Sequence, residues 1–249
     1  MNEIQNGFKV RFLNPNDDGE ITSLSLGLTY VSQSISDPEA KTNIVDVPFR
    51  NGSIDMSEVN GKVTYSPRSL ELNFKIFPSD IEEYTVIKST INETLAGQKK
   101  RIILDSDPEY YWLGRITPSI GAYDIETKSA DITISSSVDP IKYSIYSSAD
   151  DWLWDPFDFE TDIANECGNM EVNGSLTYTL GAYKQARYPI TVTVSAPMRL
   201  TVTDGEDMVV DRQLKAGTTA LAGVTATHEL IFVFEGTGTA TITYTGGRL

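Results

Sequence analysis

Ala130-Asp131-Ile132-Thr133-Ile134-Ser135 leads into Val138-Asp139-Pro140-Ile141-Lys142-Tyr143. The strict alternation of apolar and polar residues predicts a half-buried β-strand. Pro140 has no N–H to give to a ladder, so the strand must be interrupted there. Directly beyond lies the acidic, aromatic run Asp150-Asp151-Trp152-Leu153-Trp154-Asp155-Pro156-Phe157. A second block of short strands follows. The chain therefore reads as two units, 1–146 and 147–249, the second made of a connector and a β domain.

Working back toward the N-terminus, the first block is punctuated by turns. Phe8, Val10 and Phe12 alternate with Lys9 and Arg11, and Asn14-Pro15-Asn16-Asp17-Asp18-Gly19 is a dense turn cluster. Leu24 to Val31 alternates again and predicts a strand. Residues 32–62 carry no firm period and are rich in Ser, Asp, Pro, Asn and Gly; a segment of that length predicts an extended arm that reaches a neighbouring subunit. Residues 63–77 alternate strongly, with Pro67 marking an edge or a bend. One helix is predicted over 79–96. Ser79 and Glu82 form a capping box, and Ile81, Tyr84, Ile87, Ile91 and Leu95 fall on one face. Gly97 supplies the stop, and Lys99, Lys100 and Arg101 suit the negative end of the dipole. Two more strands, Ile102–Leu104 and Tyr110–Ile116, flank an acidic turn.

From Val172 onward the pattern is all-β. Runs at 176–180, 190–194, 199–202, 230–234 and 240–244 are short and bounded by turns, which suits a two-sheet sandwich. The fold class is mainly β with one α-helix.

Charge and chemistry narrow the function. The 249 residues carry a net charge of −15, which argues against stable binding of nucleic acid through its phosphates. Residues 147–166 hold seven acidic groups and no basic one, while 167–249 are nearly balanced with seven acidic and six basic. Trp152, Trp154, Phe157 and Phe159 are interleaved with those acids and predict packing on a domain. No apolar run reaches the roughly eighteen residues of a membrane span, so no membrane insertion is expected. Met1 to Asn6 shows neither a basic nor an apolar region, so no secretory signal is expected. A single cysteine, Cys167, excludes an internal disulfide framework and reads as a small packed side chain, in a chain folded in a reducing cytoplasm. The one histidine, His228, with one cysteine cannot furnish a Cys/His zinc site. Asp105-Ser106-Asp107-Pro108-Glu109 lacks the glycine and distal glutamate of a calcium loop. No phosphate loop or nucleophile elbow is present. No catalytic residue, cofactor or metal is therefore predicted. The competing readings are a carbohydrate-binding adhesion module using Tyr178, Tyr183, Tyr188 and Tyr244, and a cell-wall hydrolase using paired carboxylates.

Several ordered motifs carry a resemblance. Asn51-Gly52-Ser53-Ile54-Asp55 comes first, then Tyr65 and Arg68 ahead of Leu70-Glu71-Leu72-Asn73-Phe74. The capped helix follows, then Arg101-Ile102-Ile103-Leu104-Asp105 and Tyr110-Tyr111-Trp112-Leu113-Gly114-Arg115-Ile116. Asp139-Pro140-Ile141-Lys142-Tyr143 and Gly238 to Leu249 complete the series. In this order the chain resembles the distal tail proteins of long-tailed, non-contractile phages. The resemblance implies a split β-barrel-like first domain with a protruding arm and a galectin-like sandwich as the second. It implies a virion protein at the tail tip, assembled in the host cytoplasm. Six copies would form a ring, stacked back to back in isolation, as a hub with a channel for DNA. Its partners would be the tail tube protein, a tail-associated lysin-type protein and receptor-binding components. Gly52, Asp55, Tyr65, Arg68, Gly114, Asp139, Pro140 and Tyr143 are the motif residues to which the resemblance assigns a structural role.

Overall fold

The computed structural model describes residues 8–15, 19–58, 63–147, 167–181, 190–205, 207–224 and 229–249. The connector with Trp152, Trp154, Phe157 and Phe159 lies outside the described residues, as do Tyr183, Tyr188 and His228. The chain divides into two compact units, Met1–Lys142 and Tyr143–Leu249.

In the first unit the strands are β1 (Val10–Leu13), β2 (Glu20–Thr22), β3 (Thr29–Ile35), β4 (Ile44–Asp46), β5 (Ser53–Asp55), β6 (Arg68–Ile76), β7 (Lys99–Leu104), β8 (Asp107–Ile120) and β9 (Ala130–Val138). The helix α1 (Ile81–Leu95) separates β6 from β7. Seven of these strands form one antiparallel sheet in the order β2-β1-β7-β8-β9-β6-β3. The alternation read from sequence sets its inner face: Leu70, Leu72, Phe74 and Ile76 of β6 and Ile132, Ile134 and Val138 of β9 are buried. The sheet curls until its ends approach one another. Phe8, just before β1, stacks on Tyr30 of β3 with ring centroids 4.1 Å apart. Gln33 of β3 donates from Nε2 to the Ser106 hydroxyl in the β7–β8 turn at 3.2 Å. Side chains close this seam, which gives a curled half-barrel.

The helix covers the core with Tyr84, Ile91 and Leu95, and its cap differs from expectation. Asp80, not Ser79, is the N-cap: its extended backbone lets the carboxylate accept the Glu83 N–H at 2.9 Å. Glu83, not Glu82, reaches back and accepts the Ser79 N–H at 2.7 Å. Both spacings fit the sequence, and the charged acceptor wins at the positive end of the helix dipole. Asp80→Ala should lower the stability of this unit by about 1 kcal/mol, read from its denaturant midpoint. Ile81 is exposed, because at 100° per residue it lies roughly 75° off the stripe centred on Tyr84, Ile87, Ile91 and Leu95. Lys99, Lys100 and Arg101 lie in β7 rather than serving the helix terminus; the Arg115 guanidinium donates to the Gly97 carbonyl instead.

The strand expected from Leu24 is a 3-10 turn over Leu24–Leu26, and β3 begins only at Thr29. Ser25 and Thr22 exchange side-chain and backbone hydrogen bonds of 2.8–3.1 Å, which hold the turn. Gly27, at φ +68°, ends it.

The second unit holds β10 (Lys142–Ser147, entered from the last residue of the first unit), β11 (Met170–Leu180), β12 (Thr191–Val194), β13 (Met198–Asp204), β14 (Asp207–Leu214), β15 (Gly217–Ala220), β16 (Leu230–Thr243) and β17 (Thr245–Arg248). The runs expected as separate strands at 230–234 and 240–244 are one strand, β16. It pairs with β11 along its length, with β13 through its first half and with β12 through its second. The two halves of this six-stranded sheet share one core, in which Phe232, Phe234, Leu200 and Val202 meet Val192, Val194 and Ile242. The edges β14 and β15 are linked where Arg212 donates to the Ala220 carbonyl at 3.0 Å. Cys167 is fully buried, its thiol donating to the Ile242 carbonyl at 3.0 Å.

A candidate assembly arm and its root

Residues 36–58 and 63–69 form the two sides of an arm on the first unit. At its root Ser36 and Ser69 bond reciprocally: the Ser36 N–H donates to the Ser69 carbonyl, and the Ser69 N–H to the Ser36 hydroxyl, both at 2.9 Å. Farther out, Ala40 and Tyr65 form a β-bridge, flanked by Ser66 N–H to Glu39 and Lys41 N–H to Thr64, each 2.8 Å. Beyond them β4 and β5 pair as a two-stranded ribbon, Ile44 opposite Asp55, Val45 opposite Ile54 and Asp46 opposite Ser53. Of the segment read as irregular, residues 32–35 belong to β3, and the rest of its described residues form one long hairpin. Its period was invisible because almost none of it is buried: between 39 and 58 only Ile54 and Ser57 are even half-buried among the described residues.

The motif residues fall at two ends of this projection. Gly52 adopts φ +77° in the turn between β4 and β5, a conformation that favours glycine. The Asp55 carboxylate accepts from the Ser57 hydroxyl and from the Ser57 N–H at 2.9 Å, which holds its pKa below the ordinary range. Tyr65 is the bridge residue. Arg68 opens β6, donates from Nε to the Ser36 carbonyl at 2.6 Å and lies with its guanidinium 4.7 Å over the Trp112 ring. Burial lowers its pKa and the nearby Asp37 opposes that shift. Gly114, two residues past Trp112, sits opposite Val138. A Cβ there would stand 2.7 Å from the Ser137 carbonyl oxygen. The Asp139 N–H donates to the Leu113 carbonyl at 3.0 Å, and Pro140 follows where β9 has ended. Arg68, Gly114 and Asp139 therefore meet at one corner, the root of the arm, while Gly52 and Asp55 shape its far end. Tyr143 lies in β10, in the second unit.

Other candidate chemistry is absorbed by the fold. In the acidic turn Asp105 accepts the Lys9 N–H at 2.8 Å and Asp107 pairs with Lys142. Among the described residues no group of three or more His, Cys, Asp or Glu is placed to hold a metal. No described helix is long and apolar enough to cross a membrane. Of the tyrosines considered for sugar stacking, Tyr244 is buried and Tyr178 packs against the core of the second unit. What sequence reasoning missed is the apolar character of the arm: Ile44, Val45, Val47, Phe49 and Met56 are all exposed.

A sheet of this curl, with one helix laid over it and an arm leaving its corner, is the frame in which the likenesses to known proteins fall. Residues 18–135 match the phage tail protein RIFT-related domain family. The matched segment is thus similar to a domain of phage tail proteins. The chain's fold is that of the Dit protein of phage SPP1, described as a paradigm of the hub adsorption apparatus in phages infecting Gram-positive bacteria. That likeness covers 97% of this chain and 99% of that one at TM-score 0.61 and 13% identity. Two structures of the phage p2 baseplate in its activated conformation, with strontium and with calcium, also match. They give TM-scores of 0.46 and 0.44 at 9% and 10% identity, covering 96% and 97% of this chain and 97% of each of those chains. No curated protein sequence matches the chain.

Proposed function

We propose that six copies of this protein close into a ring at the distal end of the tail tube. The ring is a hub between the tube and the tail-tip components, and it leaves a channel for DNA. The tail tube protein lies on one side. A tail-associated lysin-type protein and receptor-binding components lie on the other, and isolated rings stack in pairs. The observation that carries the reading is the arm. A lone two-stranded ribbon is at best marginally stable in water, and this one exposes five apolar side chains. Such an element is completed by another chain. The Dit-like fold supports the hub, and the net charge of −15 suits a ring through which phosphate must pass without sticking. The protein carries no catalysis of its own in this reading, and sugar binding by the second unit is the alternative.

Native mass spectrometry across micromolar concentrations tests it. Six or twelve subunits are expected, and a well-folded monomer throughout would overturn the ring. Replacing residues 43–56 with a short Gly-Ser linker should shift the mass to the monomer while the circular dichroism of the remaining sheets persists.

A further inference from the structure

The ribbon leaves a complementary surface to be found, and the first unit carries one. Tyr123, in the loop between β8 and β9, stacks on Tyr84 of α1 with centroids 5.6 Å apart, and its hydroxyl donates to the Pro78 carbonyl at 3.4 Å. The Tyr84 hydroxyl donates to the Gly121 carbonyl at 2.8 Å. These contacts hold the loop against the start of the helix. Around them three large apolar side chains face solvent: Phe77 at 63%, Ile81 at 56% and Ile125 at 78% relative exposure. Five carboxylates lie on the same two segments, from Asp80, Glu82, Glu83, Asp124 and Glu126, against three cations: Lys75, whose charge acts on Asp124, Lys88 (5.8 Å from the Tyr84 ring) and Lys128. The surface is apolar at its centre and net acidic at its edge.

The tip of the arm has the opposite design. Phe49 is fully exposed and is held at φ +65°, in the left-handed region where a bulky residue is rarely found. Arg50 follows it, also exposed, its N–H donating to the Val47 carbonyl at 3.2 Å. The turn thus presents an aromatic knob with a guanidinium beside it. Aromatic side chains and arginine are the residues that most often anchor protein interfaces.

We propose that the arm tip of one copy docks on the Phe77–Ile81–Ile125 surface of the next, with Phe49 seated among the three apolar side chains and Arg50 paired with the acidic rim through Glu82. This rests on the ring reading and names the receiving surface. The contact is heterologous, since tip and receiver are different patches, so it propagates from copy to copy and closes only as a ring.

Three variants of the full chain test the docking by native mass. Phe49→Asp, at a fully exposed site that folding does not need, should raise the concentration at which the ring dissociates by about tenfold or more. Arg50→Glu should weaken the ring, and combining it with Glu82→Arg should restore it. A Phe49→Cys, Ile125→Cys double variant, oxidised in dilute solution, should give an intermolecular ladder ending at the ring's subunit number; Cys167 is buried and stays silent. A ring as stable in Phe49→Asp as in the unaltered chain, charge reversal without rescue, or a crosslink confined to single chains would overturn the docking and leave the ring reading standing. An unaltered chain that never assembles would overturn both.

Discussion

Gly114→Ala should cost the first unit about 3 kcal/mol, and Gly114→Val should leave it largely unfolded. At Gly114 a Cβ would meet the Ser136 hydroxyl at 2.3 Å, the Ser137 carbonyl oxygen at 2.7 Å and Val138 Cγ1 at 2.7 Å. The serine could turn aside, but the carbonyl belongs to the backbone of β9 and cannot move without parting the two strands. Forced overpacking commonly costs 1–3 kcal/mol, and a clash with backbone belongs at the upper end of that range or beyond it. A loss of about 3 kcal/mol corresponds to roughly 10 °C in the melting temperature of a unit of this size. Differential scanning calorimetry reads it directly. Gly246→Ala, where nothing lies within 4 Å, is the control and should move the melt by little. A Gly114→Val chain that melts like the unaltered protein would mean that β8 and β9 do not approach this closely. Because Arg68 and Asp139 share the same corner, the alanine variant should also loosen the root of the arm and weaken assembly.

How much of this was legible beforehand depends on what each strand buries. β6 and β9 each bury one face completely, so Leu70 to Ile76 and Ala130 to Val138 declared themselves by alternation. The helix was equally plain, although its cap was misread by one residue because two overlapping spacings satisfy the same rule. β14 went unseen because seven of its eight residues lie outside the core, so Asp207 to Leu214 carries no period to detect. β16 was split in two because Gly236-Thr237-Gly238 has the composition of a turn. Those glycines serve a different need. The chain between β12 and β13 crosses there, and a Cβ on Gly236 would stand 2.7 Å from the Met198 Cβ, one on Gly238 2.5 Å from the Ser195 hydroxyl. The corner joining Arg68 to Trp112 and Gly114 to Val138 unites residues tens of positions apart. No local pattern announces such a meeting, and only the order of the motifs hinted that they belonged together.

Phe234→Ala should split the thermal behaviour of the protein in two. Phe232 and Phe234 are fully buried in the half of β16 that pairs with β13, and each fills the core shared by both halves of that sheet. Truncating a buried phenylalanine costs about 3–5 kcal/mol, from lost transfer energy and the cavity left behind. For a unit of this size that lowers the melting temperature by more than about 10 °C. The cores of the two units are separate clusters with no residue in common. The full chain should therefore show two calorimetric transitions, of which Phe234→Ala moves one, Gly114→Ala the other, and the double variant each by its own single-variant shift. A fragment of residues 143–249 should reproduce the Phe234-sensitive transition alone, and assembly of the Phe234→Ala chain should survive at temperatures where its second unit has melted, because arm and receiving surface both lie in the first. If one transition moves as a whole under either substitution, the units fold as a single cooperative body. The ring would then depend on the second unit as much as on the arm.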